Sequence, residues 1–233
     1  MRPIALPSLE AVGIHENVVI EKAFLETTEK GKLFSFLFQQ LKDGKAVKET
    51  TVSVYPFKNE IQGKDLSAVE CEAIVNNFYY IIKDLSEALS FKTAIPDFEA
   101  EVGITPESRD KMYNQQPILD KLFEVMTKYV EAEIAKAPKG LLTIKLVRSS
   151  SKAKNYPSFP RFVGASKKGT LYPLNNSGEK FAAKQGSEEA KFVVFTTKEI
   201  MDGVNKLQDR QPDALPSALQ QSTTEKKDDN LPF

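Results

Sequence analysis

Tryptophan is absent from the 233 residues, and cysteine and histidine occur once each, as Cys71 and His15. One cysteine excludes an internal disulfide and a cysteine-based zinc site. One histidine excludes multi-histidine metal clusters and leaves little for histidine-dependent catalysis. By position, His15 reads as a surface residue and Cys71 as an inert core thiol. Gly31, Gly44, Gly63 and Gly140 stand singly, so the phosphate-cradling loops of nucleotide-binding folds are missing. No stretch approaches the roughly 18 uninterrupted apolar residues that a membrane-spanning helix needs. The opening Met1–Pro7, with two prolines, does not read as a signal peptide. These absences point to a soluble cytoplasmic chain with no metal, no cofactor, no membrane partner and no enzymatic activity.

Net charge is also missing, since 32 Lys and Arg balance 32 Asp and Glu. An evenly spread zero would argue against a polyanionic partner, but the spread is far from even. Between Ile134 and Gly178 there is no Asp or Glu, while Lys136, Lys139, Lys145, Arg148, Lys152, Lys154, Arg161, Lys167 and Lys168 fall there. The window is therefore +9, and the remaining 23 basic and 32 acidic residues give −9. Tyr156, Phe159, Phe162 and Tyr172 are interleaved with those cations, and Pro157, Pro160 and Pro173 stiffen the loops. Single-stranded nucleic acid suits this mixture, because phosphates take cations and unpaired bases stack on flat side chains at roughly 1–3 kcal/mol each. A duplex-reading helix needs a regular helical face, which so proline-rich a segment cannot supply. The expected nucleic-acid-binding residues are thus Lys145, Arg148, Lys152, Lys154, Tyr156, Phe159, Arg161, Phe162, Lys167, Lys168 and Tyr172. Any one of these aromatics could equally belong to the core. Ser149 to Lys154 reads as a flexible hairpin tip able to close over a strand.

The order of elements supplies a fold class. Val18 to Leu25, Leu33 to Leu41 and Val47 to Tyr55 read as a three-stranded meander, with a turn at Glu29–Lys32 and an Asp43-Gly44 hairpin signal. Phe34, Phe36 and Phe38 share one face, more plausible as core than as a stacking platform. Ser67 and Glu70 have capping-box spacing. Behind them Cys71, Ile74, Val75, Phe78, Ile81, Ile82, Leu85 and Leu89 recur at steps of three and four, as on one helical stripe. A second helix is expected from Thr105-Pro106-Glu107. A third is expected after Pro117, burying Leu119, Leu122, Met126, Tyr129, Val130 and Ile134. Strands resume at Leu141–Val147, with short pieces at Phe159–Val163 and Leu171–Tyr172. Lys191–Thr196 reads as the last strand, and a short helix is expected over 197–207. The expectation is an α+β chain. Residues 1–207 would form a small β-barrel of the oligonucleotide-binding (OB) type, with a helical insertion at about 64–137. Residues 208–233 would form a disordered tether with a protein-interaction tip, because their composition cannot build a core.

That tip is Asp228-Asp229-Asn230-Leu231-Pro232-Phe233. In this it resembles the single-stranded DNA-binding proteins of bacteria and their phages, whose chains end in acids, an aliphatic residue, Pro and Phe behind a tether. Asp228, Asp229, Leu231, Pro232 and Phe233 match that pattern. Asn230 stands where an acid is frequent, and Lys226-Lys227 dilutes the negative charge. The resemblance covers the tail alone and implies a strand-coating protein of replication, recombination and repair. Its tip would recruit partner enzymes, and with a body so unlike the compact bacterial domain it would be a divergent, phage-encoded member, acting in the bacterial or infected-host cytoplasm. Independently, a terminal Phe offers ring and carboxylate together to a basic-rimmed pocket. A tether of roughly 20 residues reaches about 25 Å. Two alternatives stay open: a sliding-clamp-binding accessory factor, and a metal-dependent nuclease using the plentiful carboxylates. The residues do not separate DNA from RNA.

Overall fold

The computed structural model describes residues 6–9, 12–29, 31–54, 66–137, 139–148, 156–174 and 178–195. The chain divides into two units, 1–194 and 195–233, and every named element lies in the first. The helix expected over 197–207, the boundary at 207 and the whole tether lie outside the described residues.

The meander forms as expected. Strands β1 (Gly13–Thr28), β2 (Gly31–Lys42) and β3 (Lys45–Val54) are antiparallel neighbours. Asp43 (φ +52°) and Gly44 (φ +74°) close the second hairpin, both in the left-handed region that a two-residue turn of the favoured hand demands. β1 changes partner along its length. Its first half, Gly13 to Val18, pairs with β4 (Leu142–Arg148), and the stretch from Val18 onward pairs with β2. Register shifts between His15 and Val18 and between Ile20 and Lys22 bend it, as bulges do. Asn17 (φ +58°) sits in the first bulge, and its amide and side chain both bond the Gln185 side chain.

The sheet order is β3-β2-β1-β4-β5, where β5 is Pro157–Ser158, and β5 comes back against β3. The result is a nearly closed antiparallel barrel with a few helices. Phe34, Phe36 and Phe38 point into it and are wholly buried with Val52, Ile144 and Leu146. A ring network continues from them through Phe159 to Phe181, with centroids 5.1–6.3 Å apart. Such edge-to-face pairs add to what the buried area alone contributes.

Among the described residues, the α-helices all fall between β3 and β4. α1 (Ala68–Leu89) starts on the expected capping box: the Ser67 hydroxyl accepts from the Glu70 amide at 3.3 Å, and the Glu70 carboxylate accepts from the Ser67 amide at 2.8 Å. Its stripe is buried from Cys71 to Leu89. α2 (Phe98–Glu101) was not legible beforehand; the helix expected from Thr105 begins only at α3 (Arg109–Met112) and is a single turn. α4 (Gln116–Lys136) starts at Pro117 as expected and packs against β1 and β2. Phe78 of α1 bridges the two layers, 5.2 Å from Phe34 below and stacked at 5.3 Å on Phe123 of α4.

The end of the domain departs from expectation. Residues Glu188–Phe192 form a 3-10 helix, not a strand. The place beside β4 is already filled by β8 (Ala182–Lys184), whose small Ala182 and Ala183 fit where both faces are enclosed. Phe192 and Val194 stay 42% and 39% exposed, and only Val193 between them is buried. His15, expected at the surface, is enclosed at 8% exposure in β1 opposite Ile144. None of the helices, among the described residues, is long and apolar enough to cross a membrane.

Candidate nucleic-acid interface

The acid-free window begins at the end of α4 and runs through β4, β5 and a separate hairpin, β6 (Val163–Ala165) with β7 (Leu171–Pro173). Each element sorts its side chains differently, so the window is not one surface. In β4, Leu142, Ile144 and Leu146 face the barrel. Thr143 and Lys145 lie on the other side, yet they too are covered, at 5% and 0% exposure. Lys145 is therefore corrected from a phosphate contact to a buried residue. Arg148 closes β4 opposite Pro157, and Val147 lies opposite Ser158. The connection of that hairpin is therefore 149–156. Lys152 and Lys154 belong to it and lie outside the described residues.

From the end of that connection onward, side chains divide between core and solvent. Tyr156 is 51% exposed, Phe159 is buried among Phe36, Phe38 and Phe181, Arg161 is exposed, and Phe162 is buried again. Phe159 and Phe162 are thus core rings with no face for a base, a second correction. The barrel interior and the flank of α1 needed apolar rings at those positions, and burying one, at about 1.5–3 kcal/mol, is worth at least as much as a stacking contact.

What holds this segment is Asn77 of α1. Its carboxamide oxygen accepts from the backbone amides of Phe162 and Val163, and its amide nitrogen donates to the Val163 carbonyl at 2.8 Å. Sequence reading passed over Asn77, although a carboxamide beside Phe78 on an apolar stripe is the kind of signal that marks a backbone clamp.

The β6–β7 hairpin presents the rest. Ser166 and Thr170 bond each other's chains across its tip, and Gly169 (φ +78°) supplies the left-handed turn residue. Lys167 and Lys168 project from that tip, exposed. Tyr172 pairs with Gly164 and is 42% exposed. A β-carbon at Gly164 would stand 3.0 Å from the Tyr172 ring, so the glycine lets the ring lie flat across the neighbouring strand.

The cations differ in what they meet. Lys136 bonds Glu133 at 2.9 Å, and Lys139 bonds Glu21, so both charges are matched. Among the described residues, no acid lies within ion-pair distance of Arg161, Lys167 or Lys168. The accessible members of the expected site are therefore Tyr156, Arg161, Lys167, Lys168 and Tyr172. Asp228, Asp229, Leu231, Pro232 and Phe233 lie outside the described residues. Among the described residues, no group of three or more His, Cys, Asp or Glu is placed to hold a metal ion. Comparison with protein-family models, curated proteins and solved structures produced no match to this chain.

Proposed function

We propose that the chain is a single-stranded nucleic-acid-binding protein of the OB type, a strand coater without catalytic activity that recruits partner proteins through its C-terminal tip. The observation that carries this reading is the accessible remnant of the acid-free window. Arg161, Lys167 and Lys168, which have no ion-pair partner among the described residues, and exposed Tyr156 and Tyr172 follow one another along the segment after β4 and the β6–β7 hairpin. The ring of strands supports it. β1 is shared between β2 and β4, the helices enter between β3 and β4, and the β4–β5 connection carries Lys152 and Lys154. In OB barrels that connection and the β2–β3 face are where oligonucleotides bind. DNA rather than RNA is the proposed ligand because the tip resembles that of the bacterial and phage DNA-coating proteins.

A fluorescence titration with oligo-dT against a duplex of equal length, at two salt concentrations, tests the reading. Binding is expected to be tight and sequence-tolerant on the single strand, weaker on the duplex, and to fall with salt at about −0.7 per phosphate neutralised. Replacing Lys152, Lys154 and Arg161 together is expected to flatten that slope by about two. Equal affinity for duplex and single strand would sink the proposal. Removing 228–233 is expected to leave strand binding intact and to abolish partner capture; a clamp-binding accessory factor would instead show the tail peptide titrating onto immobilised sliding clamp.

A further inference from the structure

Helix α1 turns outward two rings that neither the core nor the site above uses. Tyr79 and Tyr80 are 39% and 42% exposed, although the opposite face of the same helix is sealed. They form an edge-to-face pair with centroids 6.5 Å apart. Tyr80 is also 5.7 Å from the ring of Phe162, the buried neighbour of exposed Arg161. One turn before Tyr80, Asn77 clamps the backbone of Phe162 and Val163, so the helix and the Arg161 segment are held in fixed register. Lys83, one turn after Tyr80, is exposed, and among the described residues no acid lies within ion-pair distance of it. Of the acids that follow on the helix, Asp84 is buried 3.7 Å from the Lys180 ammonium and Glu87 bonds Lys180, so neither brings an unmatched charge.

We infer that Tyr79, Tyr80 and Lys83 continue the single-strand path from the barrel onto α1, with bases stacking on the tyrosine rings and phosphates held between Arg161 and Lys83. This rests on the function proposed above. Two flat rings between two unmatched cations are the chemistry of an unpaired strand, since stacking needs a π-face and the backbone needs positive charge. An apolar peptide would have two charges to desolvate here. The helical insertion thereby acquires a role in lengthening the binding site.

The test uses the full chain and oligo-dT of two lengths: about 8 nucleotides, within the span of one OB barrel, and about 30, long enough to pass onto the helix. Tyr80→Ala is expected to weaken the long oligonucleotide about tenfold, with Tyr79→Ala/Tyr80→Ala weaker still, while the short one changes less than about twofold. Tyr80→Phe is expected to keep wild-type affinity, because the ring and not the hydroxyl is used. Lys83→Gln is expected to lower the salt slope on the long oligonucleotide by about 0.7. Photo-crosslinking of the unaltered protein to oligonucleotide carrying 5-bromodeoxyuridine is expected to place an adduct on Tyr79 or Tyr80. That result decides the matter even if an alanine variant fails to fold.

Wild-type binding that Tyr80→Ala leaves unchanged at both lengths, with no adduct on α1, would overturn this inference and leave the proposed function standing. So would loss of a captured protein partner with strand binding unaltered. Failure of the wild type to prefer oligo-dT over duplex would overturn both.

Discussion

Replacing Asn77 by Ala should loosen the segment on which the interface is built, and the size of the loss follows from the bonds removed. The carboxamide accepts from the amides of Phe162 and Val163 and donates to the Val163 carbonyl at 2.8 Å and the Ala73 carbonyl at 2.7 Å. Ala73 keeps its place in the helix, but the two amides lose their acceptor. Phe162 is only 4% exposed, so water cannot readily replace it there; Val163 is half-buried and recovers part of its loss. At about 1–3 kcal/mol for an unmet buried polar group, the total is about 2–4 kcal/mol. That is a large share of the roughly 5–15 kcal/mol that keeps a domain folded. With a urea dependence of about 2 kcal/mol per molar, the unfolding midpoint should drop by about 1–2 M. Circular dichroism in urea reads it directly, and tyrosine fluorescence serves as a second probe because tryptophan is absent. Asn77→Asp keeps the acceptor but turns a carboxylate oxygen toward two carbonyls, so it should recover only part of the loss. A midpoint shift below about 0.3 M for the alanine variant, or an aspartate variant as stable as wild type, would refute the clamp.

Other outcomes follow from the same geometry. Phe159→Ala should cost about 3–5 kcal/mol of stability, as emptying a buried aromatic site does, whereas Tyr156→Ala should change stability by under about 0.5 kcal/mol and weaken oligo-dT about tenfold; thermal melts and titrations on the same two variants separate core from interface. The Asp84 carboxyl is pushed up to about 6 by burial, against the pull of the Phe181 amide and Lys180. Its folded value thus lies above its ordinary one, so its contribution is complete at low pH and is lost as pH rises through about 6, by about 3 kcal/mol in all. Glu124 and Glu133 run the other way. Hydrogen bonds from Lys32 and Lys128 to the first, and from Lys136 and Thr93 to the second, draw both down to about 2, so their contributions are present above the ordinary carboxylate range and disappear as pH falls toward that value. Melting temperature should therefore peak at about pH 4, and Asp84→Asn should flatten the decline between about pH 4 and 6; a decline unchanged by that substitution would exclude Asp84 as its source. Gly164→Ala should displace the Tyr172 ring and the Leu174 side chain, whose nearest atoms lie 3.0–3.1 Å from the added carbon, and a titration should show oligo-dT weakened as in Tyr172→Ala.

Long elements were legible because many residues repeat one constraint. Eight apolar positions at helical spacing mark α1, and three phenylalanines at period two mark β2, so no single exception could mislead. The short elements lacked that redundancy. β5 has two residues and β8 three, and the latter is built on Ala182 and Ala183, poor strand formers that are there because the space beside β4 is narrow. The stretch from Lys191 has better strand residues, but β8 holds the place beside β4; Lys191 and Phe192 close a 3-10 turn, and 193–195 pair with no strand. Edge availability is a property of the assembled sheet, and local sequence does not record it.

The same reason limits how far a charged window can be read as a surface. Cations and rings were chosen by their type and nearness in sequence, which fixes composition but not side. In β4 the barrel takes one face and neighbouring chain the other, so a lysine at position 145 is enclosed despite eight like-charged companions in the window. After β5, Phe159, Pro160 and Phe162 turn inward and anchor the segment, and Arg161 among them is left exposed. The two corrected phenylalanines thus support the proposed site by holding Arg161 in place rather than by touching a base. It follows that trimming Phe162 to Leu, which keeps the anchor apolar but removes the ring beside Tyr80, should move strand affinity through the position of Arg161 and Tyr80. The salt slope should stay unchanged, because no cation is lost. An altered slope with unaltered affinity would contradict that division of labour.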